Sequence, residues 1–434
     1  MSTSKVAFSR KKQAFHYDFS ADPLTSDGGL LLVAKQMRRL GLVSFFGEHV
    51  VDRRDARYVA YTSEQLLNLR LLLLCCGYED CNDVEHLKND PALRALCGGE
   101  LPSQPTMSRW ENALTIGDVG RLAERMIDYY VDSLDADRKE IIIDVDCTDD
   151  PTHGSQQGTL FHGYYWQWMY NELFYLDGET GQVILPVLRP GNVHSSKWND
   201  RFLRLIVEKI RTRFPHMAIH LRADAGYSVP AFYEAVDELD IGFCVGVSSN
   251  PRLKKLIARE VEEVVEEYVQ SDLRHQRFIG PFAYQADTWH APQDVYAKIE
   301  STGKGLNVRF YVSNYAEEDP EELYREYYVQ RGEAAENRIK EIKNFCFSGR
   351  LSCHRFSANF FRLILSCLAY EVLRSLRERL PGVTKDRRLW AWSIQSIRLH
   401  LLKAAAQIKV TVRRVYFRLA RGHPHKAILA KLLA

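Results

Sequence analysis

The 434 residues are 26% charged and 46% hydrophobic, a balance that excludes a disordered or low-complexity chain and allows two or three buried cores. Apolar runs such as 71–76 and 363–368 fall well short of the roughly 18 residues of a membrane span, and the basic N-terminus MSTSKVAFSRKKQAFHYDF lacks an apolar h-region. No span and no secretion are therefore predicted, and the chain is expected in the cytoplasm.

Residues 1–138 read mainly as helices, with apolar periodicity over 30–42, 63–76 and 92–96 broken by Asp27-Gly28-Gly29 and Gly98-Gly99. The nine cysteines of a chain without a secretory signal are expected as reduced thiols. Cys75, Cys76 and Cys81 sit in or beside an apolar stretch without a CxxC partner, so they read as core thiols and not as a zinc site. The string LPSQPTMSRWENAL predicts a turn and a helix capped at Thr106 or Ser108, with Arg109 and Trp110 in its first turns. That suits the second helix of a helix-turn-helix facing DNA, and equally a plain connector.

The pattern then changes. KEIIIDVDCTDDPTHG predicts a buried strand from Ile141 that ends in a polar loop, with further strands at 173–176, 182–188 and 217–222. Between them, 200–214 has the apolar spacing of an amphipathic helix through Phe202, Leu203, Leu205, Ile206 and Ile210. A hairpin followed by alternating strand and helix indicates a mixed α/β sheet, continued by a strand at 241–247. A charged helix is expected at 250–268, then strands at 278–284, 295–299 and 308–312, as a separate β-rich insert. Helical periodicity resumes near Leu323 and continues through the basic end, with a break at Pro381-Gly382.

The net charge of +2 hides an asymmetry, since residues 350–434 hold 18 Lys and Arg against three acids. A basic tail beside an acidic middle points to a polyanion held near carboxylates, although a solvated helix surface gives the same count.

Strand alternation places Asp144, Asp146 and Thr148 on one face, with Asp150 following if the strand persists to Pro151. Two unit charges 4 Å apart repel by roughly 4 kcal/mol at an effective dielectric of 20, so such clustering calls for protonation, basic partners or a divalent cation. Oxygen donors without paired His or Cys favour magnesium or manganese; an exposed acidic loop is the alternative. Asp224 ends the strand-like AIHLRAD, where Gly226 permits a tight turn. In RGEAAENRIKEIK, Glu336, Lys340 and Lys343 share a helix face above Ile339, Ile342 and Cys346, as either a metal-binding carboxylate beside phosphate-binding lysines or an ion-paired surface.

The strings TSDGGLLLV, GYEDCNDVEHLKNDPAL, DVDCTDDPTHG, LRPGNVHSS, LRADAGYS and RGEAAENRIKE resemble, in order and over nearly the whole chain, those of the bacterial insertion-sequence transposases of family thirteen-eighty. The resemblance implies an α/β fold with an RNase H-like mixed-sheet catalytic core (139–248 and 321–350), a β-rich insertion (249–320), a helical N-terminal DNA-binding domain (1–138) and a basic helical C-terminal region (351–434). It makes Asp146, Asp224 and Glu336 the catalytic, metal-binding triad of a DDE transposase, with Asp144 a rival or additional metal ligand.

Related cut-and-paste transposases carry Y-x2-R-x3-E-x6-K. Tyr328 to Arg331 and Glu336 to Lys343 fit that spacing, but Arg331 to Glu336 is one residue too long, and strict spacing lands on Ala335. Either the helix starts after Gly332, or Glu333 shares the role. The implied chemistry is phosphoryl transfer with two Mg2+ or Mn2+ ions, acting on terminal inverted repeats and target double-stranded DNA in a homodimeric paired-end complex at the bacterial nucleoid, with no membrane partner. Tyr328, Arg331, Lys340 and Lys343 would position phosphate; Arg189, Asn192, His194 and Arg109 are further DNA candidates. Trp289 would stack on a displaced base or serve as core. A nuclease without strand transfer and an inactive DNA-binding protein stay open as alternatives.

Overall fold

The computed structural model describes residues 5–10, 13–315 and 319–434. It divides into two compact units, Met1–Ala113 with Leu368–Ala434, and Leu114–Cys367. The N- and C-terminal segments thus share one unit, and the first boundary falls at 113/114 instead of near 138. The helix Ile116–Ser133 is the reason: it is capped reciprocally by Thr115 and Asp118, and its Tyr130 hydroxyl donates to buried Asp177 at 2.6 Å inside the second unit.

In the first unit, which the sequence reads as mainly helical, β1 (Lys5–Arg10) and β2 (Gln13–Tyr17) form an exposed antiparallel hairpin, followed by the short β3 (Leu24–Thr25). The helix Ser63–Cys76 starts in a Thr62/Gln65 capping box and stops at Gly77, whose φ of 95° suits a residue without a Cβ. It is buried on nearly every side, Cys75 and Cys76 included, and Cys81 is buried as well.

The second unit is built on nine strands. β4 (Glu140–Pro151), β5 (Leu160–His162), β6 (Gln167–Asp177) and β7 (Val183–Pro190) come first. β8 (Ala218–Ala223) and β9 (Gly242–Val247) follow, then β10 (His275–Tyr284), β11 (Gln293–Thr302) and β12 (Gly305–Ser313). They form a single sheet in the order β10-β11-β12-β9-β8-β4-β6-β5, with β7 also on β6. β4 is antiparallel to β6, while β4, β8 and β9 are mutually parallel. The parallel pairing needs crossovers, and the helices Asn199–Arg213 and Pro230–Leu239 supply them.

The residues expected as a separate β-rich insert instead extend this sheet, because β12 pairs with β9 through Phe310–Ser313 and Cys244–Val247. The charged helix before them is two helices, Pro251–Leu256 and Ala258–Ser271. After β12 comes a π-helical turn, Leu323–Tyr328, leading directly into the helix Val329–Phe345.

The helix Phe356–Glu378 opens a stretch, Phe356–Val383, that is long and apolar enough to cross a bilayer by length and composition alone. Its most apolar window is 89% buried inside the protein, the pattern of a core helix. The basic C-terminal end is not helical throughout: β13 (Ala406–Val410) and β14 (Val415–Leu419) form a hairpin that pairs with β3 before the last helix, Lys426–Leu433.

Candidate active site

β4 stays a strand through Pro151, so Asp146 lies within it and the polar stretch expected as a loop belongs to the sheet. Alternation turns Asp144, Asp146 and Thr148 toward one covering helix, Val329–Phe345. Arg338 Nη1 lies 4.0 Å from Asp144 Oδ2, Arg331 Nη1 3.2 Å from Asp146 Oδ2, and Lys343 Nζ 3.3 Å from Thr148 Oγ1. Lys343 also donates to the Asp149 carbonyl.

The parallel register pairs Asp144 with Arg222 and Val145 with Ala223, so the next residue on the first strand and the next on the second chain segment are Asp146 and the acid Asp224. Asp224 leaves β8 and accepts the Gly226 N–H at 2.8 Å, starting a tight turn. A Cβ on Gly226 would meet Ser195 Oγ at 2.5 Å and Asp224 Oδ1 at 3.1 Å, so the close approach of these side chains favours glycine there. Glu336 sits on the rim of the helix, 55% exposed, with Lys340 Nζ 3.4 Å away.

Arg331 is inside the helix, which begins at Val329; a start after Gly332 is not observed. Five residues turn a regular helix by about 140° net, which carries Glu336 off the face that holds Arg331. Ala335, the strict-spacing position, is buried with Ile339, Ile342 and Cys346. The Glu333 side chain lies outside the described residues.

Asp144 is corrected as a metal ligand. It is fully buried and receives both Arg222 Nε at 2.6 Å and Arg222 Nη2 at 2.8 Å, so its two oxygens are committed to a neighbouring strand. Arg189 is likewise structural: it is fully buried, donating to Asn171 Oδ1 at 3.1 Å and to the carbonyls of Ser195 and Lys197 at 2.8 and 2.9 Å. It shapes the loop that carries exposed Asn192 and His194, whose Nδ1 bonds Ser196 Oγ at 2.8 Å. Trp289 is corrected too. It is 7% exposed and packed between Tyr233 and Tyr284, with centroids 4.7 and 5.5 Å away, leaving no face for a base. Arg109 is exposed on the helix Gln104–Ala113 of the first unit, beside Trp110, which is buried and donates to Ser63 at 3.2 Å.

Burial pushes the Asp146 carboxyl up to about 6; Arg331 opposes the shift, while the charges of Asp224 and Glu336 add to it. The charges of the other two acids expected in the triad thus reach the Asp146 carboxyl. A cleft of about 550 Å³ opens alongside, lined by Arg309, Tyr328, Arg331, Glu336 and Lys340. Tyr328 is half-buried and stacked on Tyr311, with centroids 5.8 Å apart.

Deeper in the sheet, Asp150 and Glu172 are buried carboxyls held above the ordinary carboxylate range, burial being the main cause for both, with the Asp150 charge adding to the shift of Glu172. Arg222, Arg309, Arg338 and Glu172 escaped sequence reasoning. Only Arg222 left a trace there, as a charge in an otherwise apolar strand.

The sequence pattern of the family described as transposase DDE domain group 1 matches residues 9–434. No curated protein sequence matches the chain. Among solved structures, a chain of the piggyBac transposase synaptic complex with hairpin DNA is 12% identical, with a TM-score of 0.42 over 88% of this chain and 83% of that one.

Proposed function

The chain belongs to the transposase DDE domain group 1 family, and from that membership we propose that it excises and inserts an insertion sequence by cleaving DNA at the element's ends and joining them to target DNA. What supports the reading is that Asp146 on β4 and Asp224 just after β8 follow the parallel pair Val145 and Ala223, and that the charges of Asp224 and Glu336 both reach the Asp146 carboxyl. The strand order β7-β6-β4-β8-β9 with its helical crossovers supports an RNase H-like core for that chemistry.

The donor set fits a divalent cation. Three oxygen ligands whose charges oppose one another favour a hard ion such as magnesium or manganese. Among the described residues no three His, Cys, Asp or Glu side chains are already gathered as a cage; Glu336, exposed and ion-paired with Lys340, would have to turn toward Asp146 and Asp224 to complete the set. When bound there, the ions supply Lewis-acid activation of the attacking oxygen and charge neutralisation at the leaving one.

The chain's own groups do the rest. Arg331 holds Asp146 in place, and Lys343 fixes the far end of β4 through Thr148 and Asp149. Lys340, Arg331 and Arg309 face the cleft, where they bind and orient a phosphate. Tyr328 walls that cleft. The basic C-terminal segment adds sequence-independent affinity for double-stranded DNA. Two ends cut and joined together fit one copy on each, so the proposed working form is a homodimer on paired terminal repeats. The resemblance to family thirteen-eighty supports such ends as the substrate, and with them a working site on nucleoid DNA in the bacterial cytoplasm.

The test is incubation with paired element ends and magnesium. Nicking followed by strand transfer is expected, and both are lost in Asp146→Asn, Asp224→Asn and Glu336→Gln. Nicking that survives all three substitutions refutes the site, and nicking without strand-transfer products leaves a nuclease.

A further inference from the structure

The connection between the first two acids carries a group of aromatic residues that the reading above does not use. Leu160–Trp168, LFHGYYWQW, forms the hairpin of β5 and β6. Tyr164 is 86% and Trp166 80% exposed, and Phe161, Tyr165 and Trp168 are exposed as well. Large rings at a solvent-facing turn cost hydration unless something covers them.

Their geometry is specific. Trp166 has a φ of 55°, a region bulky residues rarely adopt, and is fixed there as its N–H donates to the His162 carbonyl at 2.8 Å. The ring contacts are edge-on: Phe161 with Trp166 at 77° and 5.4 Å, and Tyr164 with Tyr165 at 90° and 5.1 Å. Edge-on packing covers one face in each pair and leaves the partner ring's faces open, where a mutual stack would close one on both.

The hairpin is also tied to the carboxylate site. Gln167 Nε2 donates to Asp149 Oδ2 at 2.7 Å, on the residue whose carbonyl takes Lys343. Tyr165 lies near enough to Asp149 and Asp146 for their charges to act on its hydroxyl, although burial is the larger influence. At the hairpin's base, Trp168 borders a cleft with His153 and Gln156. Gln156 donates to the Leu351 carbonyl at 3.2 Å and leaves its buried Oε1 without a donor among the described residues.

We propose that this hairpin is a stacking platform for an unpaired nucleobase of the DNA strand being cut, with Trp166 and Tyr164 taking the base faces. The inference rests on the transposase reading, since DNA bound at the acids brings its bases past this turn. A paired base inside a duplex has its faces covered by its neighbours, so open rings select an unstacked one, which every base can supply. A docked protein would instead cover the rings with its own apolar side chains and give no preference between DNA forms.

The test compares two oligonucleotides of one sequence carrying 2-aminopurine near the end, one fully paired and one ending in an unpaired fork, bound by the full chain in metal-free buffer. The parent is expected to bind the fork more tightly and to quench its fluorescence. Trp166→Ala combined with Tyr164→Ala should lose fork affinity by roughly five- to 150-fold together with the quenching, at unchanged duplex affinity, while Trp166→Phe keeps most of both. A double variant that binds and quenches the fork like the parent overturns the proposal. So does a variant whose only loss is self-association by light scattering, which would make a second copy the occupant. A parent that binds duplex and fork equally overturns this inference alone; one that binds neither also overturns the transposase reading.

Discussion

The charge imbalance at Asp146 should be measurable as stability without any DNA present. Its carboxyl moves from an ordinary 3.8 to about 6, a shift of about two units, or about 3 kcal/mol at 1.36 kcal/mol per unit. The folded pKa is raised, so the associated stability is fully present below pH 3.8 and is lost as pH rises through 6. At neutral pH the native fold therefore carries the cost of an ionised, buried acid that Arg331 only partly offsets. Asp146→Asn replaces it with a neutral group of the same shape. Urea unfolding of parent and variant in metal-free buffer should show the variant gaining about 3 kcal/mol relative to the parent between pH 3.8 and pH 7. Any constant difference between Asn and a protonated Asp cancels in that comparison. Magnesium should then raise the midpoint of the parent at neutral pH more than that of the variant, because ligand that binds only the native state stabilises it. A variant whose stability relative to the parent is flat across this window, or falls as pH rises, would refute the electrostatic account of the site.

Two further substitutions separate structural from chemical roles. Arg222→Ala leaves buried Asp144 with only Arg338, 4.0 Å away, and breaking such a buried pair costs about 3–5 kcal/mol; a fall of less than about 1 kcal/mol in urea unfolding would mean that Asp144 is not committed to Arg222. Trp289→Ala should cost about 3–5 kcal/mol through the void left between Tyr233 and Tyr284, while fork binding per folded molecule stays unchanged; selective loss of fork binding without destabilisation would return Trp289 to the DNA surface.

What was legible in the sequence follows from how local each cause is. The apolar run Ile141–Ile143 announces a buried strand by itself, and alternation correctly put Asp144 and Asp146 on one face. Whether that strand continues through its acids depends on Arg331, Lys343 and Gln167, which lie far away along the chain and neutralise or bond those acids only after folding. Alternation equally could not rank Asp144 against Asp146. The difference between them is one counter-ion, Arg222, delivered by the parallel pairing of β4 with β8.

Arg189 and Trp289 show the same limit from the other side, since residue type suggested contact with DNA and only tertiary packing shows that both are enclosed. The C-terminal hairpin is a different failure, because its signal was local. Ile408 and Val410, then Val415, Phe417 and Leu419, alternate with polar residues as strands do. The intervening Thr-Val-Arg-Arg has no Gly, Pro, Asn or Asp to mark a turn, and its basic charge fitted a helical tail as readily. The turn is closed by Thr411, whose N–H donates to the Arg414 carbonyl at 2.8 Å while its hydroxyl oxygen accepts the Arg414 N–H at 3.0 Å. A threonine side chain thus does there what glycine geometry does in the commoner hairpins, and a reading that looks for turn residues by type passes over it.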